Sequence, residues 1–234
     1  MVKGVKMRGK FRVFILIILI LYLVMEIFFP VLAEKEIRNN IVEQIDSVQL
    51  LEVNANSFPA WEMILTKIDR VEINASKLVI DGLLIESIAT KYRDLYIKDN
   101  KIMGENIDLK FVISEQALNK YIIEKYPELS NFRVKFVSGH AYLSGQLNFF
   151  NKKVNIQLTG KFNVKEKNII DFEPVNLKIE KLEIPGEVVK KFIEESGFTI
   201  NLNKLNMPLN VEKIKIVSAR MYLMGGLYAG KAGL

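Results

Sequence analysis

Between Phe132 and Ile179 the chain alternates apolar and polar residues almost without a break, and this limits the fold more than any other feature. Arg133 and Lys135 separate Phe132, Val134 and Phe136. Ala141, Leu143, Gly145, Leu147 and Phe149 interleave with Tyr142, Ser144, Gln146 and Asn148. Val154 to Val164 repeats the pattern against Lys153, Asn155, Gln157, Thr159, Lys161 and Asn163. Val175, Leu177 and Ile179 then alternate with Asn176, Lys178 and Glu180. A period of two sends each set to its own face, so these are strands with one apolar and one polar side. Ser138-Gly139, Asn151-Lys152 and Glu166-Lys167-Asn168 read as the hairpin turns between them. The product is an antiparallel meander whose apolar face needs a cover.

Charge is concentrated far from this region. Residues 1–33 hold five basic groups (Lys3, Lys6, Arg8, Lys10, Arg12) and one acidic group, Glu26. Taking them from the 33 basic and 27 acidic residues of the chain leaves 28 and 26, so the formal +6 belongs almost wholly to this segment. A nearly neutral body gives counterion-driven nucleic-acid binding little support. Val13 to Met25, directly after the cations, is thirteen residues without a charge. As a helix that is about 20 Å, short of a hydrocarbon core of about 30 Å. Carried through Glu26 to Ala33 it reaches 21 residues, a spanning length. Cations on the near side keep that end in the cytoplasm and export the remainder of the chain. Val31-Leu32-Ala33 also resembles a cleavage site. Two outcomes stay open: a retained single-pass anchor at the cell membrane, or an exported domain if the segment is cut. Pro30 suits a helix's first turn, and Ile37, Ile41, Ile45 and Val48 continue as an amphipathic stripe. A cut after Ala33 would remove the start of that helix, which favours retention.

Leu50 to Asn56 reads as a strand, followed by a short turn or helix at Pro59 to Leu65 in which Trp61, Ile64 and Leu65 could lie together. Val71 to Ile80 is a second strand, ended by Asp81-Gly82. Leu83 to Lys98 drifts in phase, the mark of a bulge or of a strand partly covered on both faces. Ile107, Leu109, Phe111 and Ile113 alternate cleanly. Ser114 caps a helix whose stripe is Leu118, Tyr121 and Ile122 and which Pro127 stops. Pro185-Gly186 opens a second short helix with Val188, Val189, Phe192 and Ile193 on one face, and Leu209 to Met224 closes the chain as a hairpin.

The residues of common catalytic centres are scarce. There is no cysteine, which removes disulfides, thiol catalysis and cysteine zinc sites. The single histidine, His140, sits at a turn, the place of a solvated residue rather than a catalyst. No nucleophile elbow, Ser-x-x-Lys pair or phosphate-cradling glycine loop occurs. Asp108, Glu180 and Glu183 take the polar phase of strands, which explains them without a reaction. A non-catalytic role is expected, with no metal and no cofactor. The apolar strand faces leave two arrangements. Either the interior fills itself, or a curved sheet keeps a groove open to an acyl chain, where burial is worth about 0.8 kcal/mol per methylene.

From about Pro30 to Gly225 the order of these segments resembles the LmeA family of phospholipid-binding envelope proteins. The resemblance is carried by Phe58-Pro59-Ala60, Ile68 to Ile73, Ile113-Ser114-Glu115-Gln116-Ala117-Leu118-Asn119, Gly139 to Gly145, Leu205-Asn206-Met207-Pro208-Leu209 and Met221 to Gly225. Thr66-Lys67 replaces a glycine that members often carry. The resemblance implies an exported, membrane-associated protein that binds phospholipid and assists envelope assembly, with no agreed catalytic residues.

The expected fold is therefore α+β: a long curved, mainly antiparallel sheet packed on an N-terminal helix and two shorter helices. Residues 1–33 form the membrane segment, 34–225 one extracytoplasmic domain and 226–234 a loose tail. The inner strand faces and helix stripes form the site, with Leu118, Tyr121, Ile122, Phe192 and Ile193 as lining candidates and Trp61 at headgroup level, where indole is favoured. The alternative is a structural or protein-interaction module of the envelope with a closed core.

Overall fold

The computed structural model describes residues 4–65, 67–98, 101–149, 152–166, 168–185, 199–205 and 207–226. Helix α1 (Gly4–Val42) leads to strands β1 (Leu50–Asn56), β2 (Ile68–Ile80), β3 (Leu83–Lys98) and β4 (Lys101–Ser114), with a 3-10 turn at Ala60–Leu65. Helix α2 (Glu115–Lys125) comes next, then β5 (Arg133–Val137), β6 (His140–Phe149), β7 (Lys152–Glu166), β8 (Ile169–Ile179) and β9 (Leu182–Pro185). Strands β10 (Thr199–Asn201), β11 (Val211–Val217) and β12 (Arg220–Gly225) complete the fold.

The α+β class holds, but the single long sheet does not. The strands form two six-stranded antiparallel sheets, one in the order β1-β2-β3-β4-β12-β11 and one in the order β10-β8-β7-β6-β5, with β9 also on β8. The closing hairpin joins β4, pairing Ile113 with Met221 and Phe111 with Leu223. The chain thus leaves the first sheet after β4, builds α2 and the second sheet, and returns. That insertion splits what alternation alone presents as one run of strands, because a period of two says which face a residue takes and nothing about non-local partners.

Helix α1 is one continuous helix, and Pro30 lies inside it rather than at its start. Proline removes the N–H that would reach the Glu26 carbonyl, a local loss. Beyond it the expected stripe holds: Ile37 and Ile41 are buried, and Ile45 and Val48 pack on the same core. Arg38 donates to the Leu51 carbonyl, and Glu34 accepts from the Ala55 N–H at 3.1 Å, so this half of α1 runs along β1.

Of the two shorter helices, α2 is present with the expected cap: Ser114 Oγ accepts from the Ala117 N–H at 3.2 Å. The other falls within residues 186–198, outside the described residues, as do Phe192 and Ile193. Pro185 itself ends a strand, β9, that pairs with β8. The β5–β8 meander forms as its alternation requires, with one change of phase. A register shift between Thr159 and Gly160 lets Gly160 face Pro174, so Val175 falls out of the inward set and is 48% exposed. The drift expected in β3 also appears, as shifts after Lys91 and after Arg93.

Candidate functional site

The apolar face of the second sheet is built from rows of cross-strand neighbours. Val134, Leu143, Leu158 and Leu177 stand side by side across β5 to β8, and Leu177 pairs onward with Ile184 of β9. The next row places Gly145, Ile156, Ile179 and Leu182 together. Two strand glycines on this face each lie under an aromatic ring. A Cβ at Gly145 would stand 2.6 Å from the Phe132 ring, and one at Gly160 would stand 2.3 Å from the Phe172 ring. Phe162 meets Phe172 and Phe136 edge-on, at 5.4 and 6.3 Å between centroids, geometries favoured by ring quadrupoles.

Burial along this face is uneven. At one end Phe136, Ala141, Leu158, Phe162 and Ile170 are buried, and strand β11 of the first sheet reaches β5 and β7. At the other end Leu143, Val154, Ile156, Leu177, Ile179 and Ile184 are only half-buried. The first sheet shows no such gradient over its central rows: Ile73, Ile85, Leu109, Phe111, Ile113, Met221 and Leu223 are all buried.

Helix α2 closes the buried end. Strand β5 is a sheet edge, and α2 supplies the partners that an edge lacks. Asn119 Oδ1 accepts from the Val134 N–H at 2.7 Å while its Nδ2 donates to the Val134 carbonyl at 2.8 Å. Glu115 Oε2 accepts from the Phe136 N–H at 2.7 Å. Both helix ends are tied to the first sheet: the Glu115 N–H donates to the Ala219 carbonyl at 2.9 Å, and Lys125 Nζ meets Asp81 at 2.6 Å. The Asp81 carboxylate holds the Lys125 ammonium above its ordinary range, and the same ammonium lies 5.2 Å from the centre of the Tyr121 ring. Leu118, Tyr121 and Ile122 come together under this frame, buried in the core between the sheets.

Trp61 lies elsewhere, in the 3-10 turn packed on α1, and is 40% exposed. Leu143, Val154, Ile156, Leu177 and Ile179 were visible in the sequence as the inward phase of the meander, whereas Ile184 belongs to β9, a strand the pattern did not suggest. What the pattern could not show is that, among the described residues, their cover ends partway along the sheet.

Two hollows of several hundred Å3 are lined by more polar than apolar residues. One, of about 600 Å3, lies at the second sheet among Arg133, Ser144, Gln146, Asn155, Gln157 and Lys178, with Gly145 and Ile156 of the apolar rows also in its wall. The other, of about 460 Å3, lies beside Phe58 among Asn56, Asp69, Arg70, Arg93 and Asp94. Among the described residues no group of three or more His, Asp or Glu side chains is placed to hold a metal ion. His140 opens β6, its Nδ1 3.1 Å from the Ser138 carbonyl.

The fold is thus a β-rich body with a half-covered apolar sheet face, joined to an exposed helix that is long and apolar enough to cross a membrane. The chain belongs to the LmeA-like phospholipid-binding family, whose model matches residues 24–226. No curated protein and no solved structure matches the chain significantly.

Proposed function

We propose that this is a membrane-tethered, extracytoplasmic, non-catalytic phospholipid-binding protein that assists assembly or maintenance of the cell envelope. Helix α1 is its single-pass anchor, with the cationic end in the cytoplasm. The observation that carries the reading is the burial gradient on the second sheet, in a chain whose family binds phospholipid. An acyl chain lies along Leu143, Ile156, Leu177 and Ile179, with Leu118, Tyr121 and Ile122 behind it as the closed end. Ten methylenes removed from water there contribute roughly 8 kcal/mol before the losses of binding, enough for useful affinity without a polar pocket. Trp61 sits at the level of the membrane rather than in this face. The closed-core alternative draws on the full burial of Leu118, Tyr121 and Ile122, and it assigns the half-covered rows to a protein partner instead.

The full chain in nanodiscs containing a phospholipid with a photoreactive group near the end of one acyl chain separates the two. Mapping of crosslinked peptides should find adducts on β7 and β8 as well as on α1. Adducts confined to α1 would refute the proposal and favour the closed core.

A further inference from the structure

Between Tyr22 and Ala33, helix α1 has two different sides. Tyr22, Glu26, Phe29 and Ala33 are half-buried on the side of the 3-10 turn and β1, whereas Ile27, Phe28, Val31 and Leu32 are exposed, Ile27 at 73%. The turn is fastened at Glu26, whose two carboxylate oxygens lie 3.1 and 3.2 Å from the Ala60 N–H that donates to them. Two more of its backbone donors are engaged: the Phe58 N–H goes to Asp69 at 3.3 Å and the Glu62 N–H to the Pro59 carbonyl at 3.1 Å. Pro59 has no N–H to satisfy. Beside these bonds Phe58 is 78% exposed.

We infer that Phe58 and the 3-10 turn lie inside the outer leaflet, below the headgroups, as a wedge held against the spanning helix. This rests on the reading of α1 as a membrane anchor. Arg12 is the last cation before the apolar run, and Glu26 lies fourteen residues beyond it. Those residues rise about 21 Å, against a hydrocarbon thickness of about 30 Å. With Arg12 at the inner boundary, Glu26 and the Ala60 N–H sit about 9 Å inside the outer one. Snorkelling of the Arg12 side chain lets its backbone enter by a few Å, which moves Glu26 outward without bringing it to the boundary. The opposite placement, with Glu26 among the headgroups, leaves only Val13 to Met25 to cross, about 20 Å of helix. It also strands Ile27, Phe28, Val31 and Leu32 in water. Hydrocarbon tolerates irregular backbone only where its polar groups are satisfied, and the N–H groups of Phe58, Ala60 and Glu62 each have a partner within the chain. There the exposed Phe58 side chain leaves water for hydrocarbon, a favourable transfer.

Trp61 is the sole tryptophan and cysteine is absent, so the full chain reports on the turn and on the anchor separately. It is reconstituted in phosphatidylcholine–phosphatidylglycerol vesicles, with quencher-labelled phospholipids and with aqueous iodide. The wedge predicts that Trp61 emission is quenched more by a label near the glycerol end of the acyl chain than by a headgroup label. It also predicts that iodide quenching falls several-fold on reconstitution. A spin label at Leu19→Cys, shielded from water-soluble relaxers, reports that α1 spans. Trp61 open to iodide and indifferent to the acyl-chain label, with that spin label shielded, overturns the wedge and leaves the anchor. A water-exposed label at Leu19→Cys overturns both.

Discussion

Asn119 does for strand β5 what a neighbouring strand would do, and replacing it measures how firmly the closed end of the apolar face is held. In Asn119→Leu three bonds vanish: the 2.7 Å bond from the Val134 N–H, the 2.8 Å bond to the Val134 carbonyl and the 2.8 Å bond to the Glu115 carbonyl. The two Val134 groups then face an apolar side chain at a half-buried edge. Each unmade bond costs about 1–3 kcal/mol when buried, and the partial exposure here brings the pair to about 2–4 kcal/mol. Hydrogen exchange followed by mass spectrometry reads this directly. The Val134 amide should exchange roughly 30- to 700-fold faster, at a factor of ten per 1.4 kcal/mol. Lys135, in register with Tyr142 of β6, should change far less. In Asn119→Asp the acceptor for the Val134 N–H remains, but a carboxylate oxygen now opposes two carbonyls. That variant should lose stability while keeping more of the Val134 protection. An unchanged Val134 amide in Asn119→Leu would refute the account of α2 as an edge cover.

Gly160→Ala drives a methyl into the Phe172 ring and the Glu173 carbonyl, so a urea midpoint shift equal to about 1–3 kcal/mol of lost stability is expected; Phe172→Leu in the same chain should recover part of it. Leu177→Arg places a charge in the half-covered row without emptying the buried core, so the fold should persist while crosslinking of photoreactive phospholipid to β7 and β8 falls several-fold. The hydrogen bond from Arg220, at 2.8 Å, holds the Glu86 carboxyl below its ordinary value of 4.5. A depressed carboxylate contributes stability above the unfolded value and loses it as pH falls through the folded one. Acid titration of the urea midpoint below pH 4.5 should therefore be shallower in Glu86→Gln, by no more than about 1 kcal/mol for so exposed a pair.

Much of the local structure was legible because it depends on neighbours in the chain. The alternation of Phe132 to Ile179 became β5 to β8, and Ser114, Leu118, Tyr121 and Ile122 became the cap and buried stripe of α2. What failed depended on distant partners. Nothing near Met221 says that it pairs with Ile113 rather than extending the meander, so two sheets read as one. Local preference alone makes Pro30 a helix start, while the bonds and packing of Glu26, Glu34, Ile37 and Arg38 on later segments carry the helix through it. Val175 lost its place because a bulge is a property of a strand pair, and a single strand's pattern carries no trace of its partner's register. The candidate lining was split in the same way. The α2 stripe was correct as a stripe, yet its burial is complete, while the half-covered residues lie on strands.

The insertion explains why the two sheets differ in cover. The first sheet gains α1 along β1 and closes across β4 with the last hairpin, so its inward side chains are enclosed by segments from both ends of the chain. The second sheet hangs between α2, which follows β4 directly, and the segment before β11, and among the described residues α2 and β11 reach its near end alone. A protein selected for a closed core would gain stability from extending that cover, since each half-exposed Leu or Ile forfeits part of the ~1.5–3 kcal/mol of full burial. Six such side chains on one continuous face form a patch of the kind that marks an interaction surface. The forfeited stability becomes binding energy when an apolar partner arrives. In a chain of a phospholipid-binding family, attached to a helix of membrane-spanning length, the partner we propose for that patch is an acyl chain.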